Sequence, residues 1–298
     1  MAKRDFLTLM DCSPEELGGL VARGRELKAN VADRDHRPLL GTTAVLILAL
    51  NSTRTRVGFE TGMNQLGGHT IVLNPEDTQL GRGEPIEDMA RVLAEMVDVI
   101  IIRTLAQQDM EAFAAASSIP VINAMSARYH PCQLLADVQT FEELRGPITG
   151  KTVAFVGDGH NMCNSYINAA RQWGFNLKIA CPEGYLPDAG ILASTNNAIL
   201  VESATEAVEN ADLVVTDVWS SMGQEDEAEA RRRQFEPFQV NEMLLDQAPT
   251  DTLFMHCLPA HRGEEISPSL LDDPRSAVWQ EAGNRLHSQK ALLEFLLT

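Results

Sequence analysis

The chain has 298 residues, 44% of them apolar and 22% charged, and carries a formal net charge of −18. That length suits two domains of ordinary size, and the apolar share is enough to bury sizeable cores. The acidic balance argues against nucleic acid, whose binders need a basic face to replace phosphate counterions, and no apolar run approaches the ~18 residues of a membrane span.

The opening MAKRDFLTLMDCSPEEL has early basic residues but neither a long apolar stretch nor a small-residue cleavage site. It lacks the layout of a secretory signal, so the expected compartment is the cytoplasm. Cys12, Cys132, Cys163, Cys181 and Cys257 are odd in number and scattered, which gives no disulfide framework. From about residue 43 the strand-like segments TTAVLILAL, TIVL, VDVIII and PVIN alternate with stretches of helical spacing, such as Phe59, Met63 and Leu66. A Gly- and Pro-rich turn, RGPITGK, restarts the pattern, and KTVAFVG, NLKIAC, AILV, ADLVVTD and DTLFMHCL follow. This alternation predicts an α/β fold of two doubly wound parallel-sheet domains, with the active site in the cleft between them. The expected spans are 1–145 and 146–277, with 278–298 as an amphipathic C-terminal helix.

The first strand runs into Asn51 and then Ser52, Thr53, Arg54, Thr55 and Arg56. Ser52 suits an N-cap, yet arginines in a first helical turn oppose the helix dipole. An anion held by backbone N–H groups, hydroxyls and guanidinium forks removes the conflict, and phosphate fits well. The bland alternative is a capped surface helix with both arginines in water. Arg103 closes the strand VDVIII, either as an exposed end charge or as a second cation for the same anion. His130, Pro131, Cys132 and Gln133 begin another helix, where Pro131 suits the first turn. His130 and Gln133 offer neutral donors and acceptors there.

In the second half, Gly157-Asp158-Gly159-His160-Asn161-Met162 resembles the start of a dinucleotide fingerprint, but Met162 takes the third glycine's place. Lys178 and Cys181 stand where a ribose-binding acid is wanted, so a tight turn presenting Asn161 is the better reading. Asp217 ends ADLVVTD and either binds an ammonium group or caps the next helix. Cys257, in His256-Cys257-Leu258-Pro259, is a nucleophile, a polarizable wall or a filler, with no local base in sight. The His/Cys pairs lack tetrahedral zinc spacing, so no zinc site is expected.

Together these residues resemble the transcarbamoylase family, over essentially the whole chain and in order: STRTR, DTQLGRGE, Arg103, HPCQ, GDGxNM, DVWxSMG, HCLP and a final NR. The S-M-G loop and HCLP resemble its ornithine branch. The resemblance implies carbamoyl transfer from carbamoyl phosphate to the δ-amine of L-ornithine, giving citrulline and phosphate, with neither metal nor cofactor required because carbamoyl phosphate is already activated. By the same resemblance, Ser52, Thr53, Arg54 and Thr55 bind the phosphate, and Arg103 bridges phosphate and carbonyl. His130 and Gln133 hold the carbamoyl group, in the turn that includes Pro131 and Cys132. Cys257, the Leu258 carbonyl and Arg285 complete that site, the last from a C-terminal helix that packs back toward the first domain, with catalytic roles falling to Arg103, His130 and Cys257. Gln79 reaches a neighbouring subunit's site in a homotrimer or larger assembly of trimers. Asn161, Asp217, Ser221 and Met222 hold ornithine, and Leu258–Pro259 is cis. Ala49, Leu50, Gly58, Arg128, His160 and Gly283 depart from the family's usual residues. Two rival readings stay open: a nucleotide-dependent oxidoreductase resting on Gly157 and Gly159, and a non-catalytic or altered-specificity relative that keeps the fold. The sequence does not distinguish an anabolic from a catabolic role.

Overall fold

A computed structural model of the chain describes residues 3–33, 35–74, 83–220 and 228–298. The chain divides into two compact units, Met1–Gln139 with Gly283–Thr298, and Thr140–Ala282. All nine strand-like segments form strands.

In the first unit, α1 (Pro14–Ala29) begins at a capping box in which Ser13 and Glu16 satisfy each other's backbone N–H. Then follow β1 (Thr43–Leu48), α2 (Thr53–Gln65), β2 (His69–Leu73), α3 (Ile86–Ala94), β3 (Val99–Arg103), α4 (Gln107–Ala116), β4 (Val121–Met125) and α5 (Pro131–Arg145). The strands are parallel, in the order β2-β1-β3-β4. The inner strands β1 and β3 are apolar runs buried nearly throughout. That is the pattern of a parallel sheet covered on both faces, rather than the in–out alternation of a half-exposed one. The direction of winding reverses between β1 and β3, so the crevice for a ligand opens beyond the carboxyl ends of those two strands.

The second unit runs β5 (Thr152–Val156), α6 (Asn161–Trp173), β6 (Asn176–Ala180), α7 (Ala189–Leu192), β7 (Ala198–Leu200), α8 (Ala204–Val208), β8 (Leu213–Thr216), α9 (Ala228–Phe235), α10 (Glu242–Leu245) and β9 (Leu253–His256), and α11 (Val278–Leu297) follows. Most of α11 belongs to the first unit. The parallel order is β7-β6-β5-β8-β9, which places the reversal between β5 and β8. Ala154, Val156, Val214, Leu245, Phe254 and Ile266 lie in its core. Gly157 has a φ of +134° and would set a Cβ 3.1 Å from Thr216 Oγ1, so only glycine suits the turn leaving β5. Among the described residues no helix is long and apolar enough to cross a membrane.

Candidate active site

The two reversal points carry most of the residues that the sequence singles out. In the first unit, the chain leaves β1 and enters α2 at Ser52, whose hydroxyl accepts from Thr55 N at 3.3 Å. The first turn of α2 holds no acid. Arg56 is exposed and pairs with Glu60 at 3.3 Å, which turns it toward solvent. Thr55 is fully buried, and Arg285 from α11 reaches it at 3.5 Å through NH2. Through NH1 the same guanidinium donates to Gln133 Oε1 at 2.6 Å, so it spans the start of α2 and the start of α5. Arg103, at the end of β3, is 8% exposed, and its carbonyl accepts from Ala49 N at 2.9 Å.

His130 is buried just before α5, with its pKa well below the usual 6.5. Burial is the main cause, and the positive charges of Arg285, Arg103 and Arg54 add to it. A neutral imidazole can donate one N–H without adding a further charge to a cationic site. Cys132 is fully buried, its thiol donates to Asn123 O at 3.3 Å, and burial pushes its pKa up to about 12. Its side chain is therefore tied to β4, and its thiol is inert at neutral pH.

In the second unit, the turn after β5 presents Asn161 as the first residue of α6, while Asp217 follows β8. Asp217 Oδ1 accepts from Val218 N at 2.8 Å and from the Cys257 thiol at 3.1 Å. His256, at the end of β9, accepts from Leu258 N at Nδ1 (2.9 Å) and faces Glu265 Oε1 at 3.1 Å through Nε2. Since Nδ1 accepts, the ring proton sits on Nε2 and is donated to Glu265. The Leu258–Pro259 bond is cis, with Leu258 at φ +56°. Asp217, His256 and Cys257 bring potential metal-ligand atoms within 4.8 Å of one another. Both imidazole nitrogens are nevertheless engaged, so the histidine is not a free donor for a metal.

Asp158 is buried against Arg231 of α9, which also donates to Trp219 O at 2.6 Å and stacks over Tyr185 at 4.5 Å. Burial raises the Asp158 pKa to about 6 even though Arg231 opposes the shift, and the neighbouring Asp217 charge adds to it. His160 is held below its usual range, chiefly by burial. A Cβ on Gly159 would collide with the backbone of Tyr185–Pro187, and Lys178 caps the carbonyls of Glu206 and Glu209 at 3.1 and 3.0 Å. The two glycines and the lysine thus have structural reasons that need no nucleotide.

Gln79, Ser221 and Met222 lie outside the described residues. Four buried groups that steady the candidate residues within each unit do not stand out in the sequence: Asp137 in the first, and Arg231, Glu265 and Glu281 in the second. Asp137 accepts from Gln133 Nε2 at 2.8 Å, and Glu281 accepts from His256 N at 2.9 Å. An acid inside the apolar run LLADVQTF, four residues after Gln133, was the available signal for the first. The others have no comparable local mark.

Residues 4–143 match the family model described as aspartate/ornithine carbamoyltransferase, carbamoyl-P binding domain, and residues 149–296 match that family's Asp/Orn binding domain. The chain is 57% identical over 300 residues to ornithine carbamoyltransferase of Chromohalobacter salexigens, covering 100% of this chain and 98% of that one. It is 58% identical over 300 residues to the anabolic ornithine carbamoyltransferase of Pseudomonas aeruginosa, again covering 100% and 98%. The solved structure of ornithine carbamoyltransferase from Pyrococcus furiosus matches with a TM-score of 0.94 at 45% identity, over 99% of this chain and 97% of that one.

Proposed function

Since the chain belongs to the aspartate/ornithine carbamoyltransferase family, we propose that it transfers the carbamoyl group of carbamoyl phosphate to the δ-amine of L-ornithine, giving L-citrulline and phosphate. The observation that carries this reading is the first unit's reversal point, where a buried neutral His130 sits among Arg54, Arg103 and Arg285 beside a helix start without acids. Such a site suits a compact dianion with a polar acyl end. Arg54, Thr55 and the first N–H groups of α2 take the phosphate, joined by Ser52 and Thr53. Arg103 bridges phosphate and carbonyl oxygen, His130 donates to that oxygen, and Gln133 Oε1 accepts from the carbamoyl NH2. Asp217 and Asn161 hold the amino-acid end of ornithine, and Cys257 with the Leu258 carbonyl faces the amine.

The neutral δ-amine attacks the carbonyl carbon, and a C–N bond forms as negative charge gathers on the oxygen. Donors from Thr55, Arg103 and His130 stabilise that charge, each typically worth ~10²–10³ in rate. Collapse breaks the C–O bond to phosphate, which leaves with the amine's proton. Carbamoyl phosphate is already activated, so this route calls on no cofactor. Identity of 58% to a relative named as anabolic supports a role in arginine biosynthesis. The proposed setting is the cytoplasm, and the proposed assembly is a homotrimer.

Citrulline formation from the two substrates tests the reading. Asp217→Asn is expected to raise the KM for ornithine at least tenfold while moving that for carbamoyl phosphate little. Faster carbamoylation of aspartate or putrescine than of ornithine would overturn the acceptor. Carbamoyl phosphate binding without turnover would favour a non-catalytic relative instead.

A further inference from the structure

We propose that Asp137 is a positioning residue that sets the polarity of the carbamoyl-amine pocket through Gln133, and so selects carbamoyl phosphate over acyl phosphates lacking an N–H donor. This rests on the reading that Gln133 meets the carbamoyl nitrogen.

A glutamine amide can be turned end for end, and its two orientations present opposite polarity to a ligand at nearly the same shape. Here the orientation is not ambiguous. Arg285 has only donors, and its NH1 lies 2.6 Å from Oε1. Asp137 is 1% exposed, lies one helical turn beyond Gln133 on α5, and accepts from Nε2 at 2.8 Å. Both neighbours demand the same orientation, so the amide offers the carbamoyl end of the site an acceptor, Oε1, rather than a donor. The reversed amide would set NH2 against NH2.

The two neighbours differ in what happens when the phosphate arrives. Arg285 also reaches Thr55 Oγ1, at 3.5 Å, and in the proposed complex it gains a dianion to bond. Asp137 is buried and bonds the other end of the amide, Nε2 rather than Oε1, so it does not share the arginine's pull toward phosphate. It therefore keeps Oε1 facing the carbamoyl nitrogen while the arginine is drawn toward phosphate. An acid in this otherwise apolar stretch of α5 is explained by that task.

The test compares two stable phosphonates of equal charge and nearly equal shape by calorimetry: phosphonoacetamide, which carries NH2, and acetonylphosphonate, which carries CH3. The unaltered protein should prefer the amide. Asp137→Ala is expected to reduce that preference about tenfold while leaving inorganic phosphate affinity within about twofold. Asp137→Asn, which retains an acceptor oxygen, should keep most of the preference. In a Gln133→Ala background, Asp137→Ala should have no further effect. If Asp137→Ala does not fold, Asp137→Leu preserves the buried volume and serves in its place. A preference unchanged by Gln133→Ala would remove the reading of Gln133 and this proposal with it. A preference lost in Gln133→Ala but kept in Asp137→Ala, or independent effects of the two changes, would overturn the role of Asp137 alone. Equal loss of amide, ketone and phosphate binding in Asp137→Ala would mark Asp137 as merely structural.

Discussion

His130 and Asp158 are both driven toward their neutral forms by burial, yet they act on stability in opposite directions with pH. His130 has a folded pKa well below 6.5, so the unfolded chain takes up its proton first. Its contribution is present above about 6.5 and is lost as pH falls. Asp158 has a folded pKa raised from 3.8 to about 6, so the folded chain holds the proton longer. Its contribution is full below about 4 and is lost as pH rises through 6, a span of about 3 kcal/mol at 1.36 kcal/mol per unit. Denaturant titrations at pH 5 and 7.5 should therefore show that Asp158→Asn increases the gain in stability toward pH 7.5, while His130→Gln reduces it. Changes of the same sign would mean one environment is misassigned. Arg54→Ala should weaken carbamoyl phosphate by about 1.5–3 kcal/mol, the range for charge-assisted hydrogen bonds, and calorimetry reads this directly. Arg54 was legible because a cation conflicts with the start of a helix, and Arg103 because a cation ends an apolar strand. Arg231 and Glu281 were not, because their partners lie 73 and 25 residues away along the chain. Only the fold brings them together.

The strands were legible because parallel sheets buried on both faces need continuous apolar runs, as in Val99–Ile102. The contacts between helices were not, and α2 against α11 is the clearest case. A Cβ on Gly58 of α2 would fall onto the end of Gln289, and one on Gly62 would lie 3.3 Å from Lys290 Cγ. Gln289 is 1% exposed and its amide makes no hydrogen bond among the described residues, a costly state for a buried group. A hydroxyl at position 58 would give that amide a partner after a small swing of its flexible end, whereas a methyl would only displace it. Gly58→Ser should thus be more stable than Gly58→Ala by about 1 kcal/mol, although alanine is the better helix former. Adding Gln289→Ala should reverse the order. The same ranking in both backgrounds, read from thermal melts, would show that the amide does not matter.

At the scale of the whole molecule, a charge of −18 would repel a phosphate dianion at long range. Screening confines that field to about 8–10 Å at physiological salt, so in the proposed site the nearby guanidiniums of Arg54, Arg103 and Arg285 outweigh it. The acceptor's position in the second unit was only partly readable. Asp217 and Asn161 stand out at strand ends, but the bond from Cys257 to Asp217 joins residues 40 apart, and no local pattern announces it.

Because Gly283–Thr298 belongs to the same unit as Met1–Gln139, that unit is discontinuous in the chain, with all of the second unit inserted before its last piece. On the ribosome the order of completion is therefore inverted. The inserted unit is fully synthesised while the one that starts the chain still lacks most of α11 and, with it, Arg285. A chain ending at Ala282 should show slow hydrogen exchange in β5, β8 and β9, weak protection in β1 and β3, and no measurable affinity for phosphate. Equal protection in both sets of strands would mean that the final helix only decorates the first unit. On the expected outcome, the anion site closes last, so a chain still short of Arg285 cannot hold carbamoyl phosphate, and possession of the ligand itself certifies that translation has passed into α11 beyond that residue.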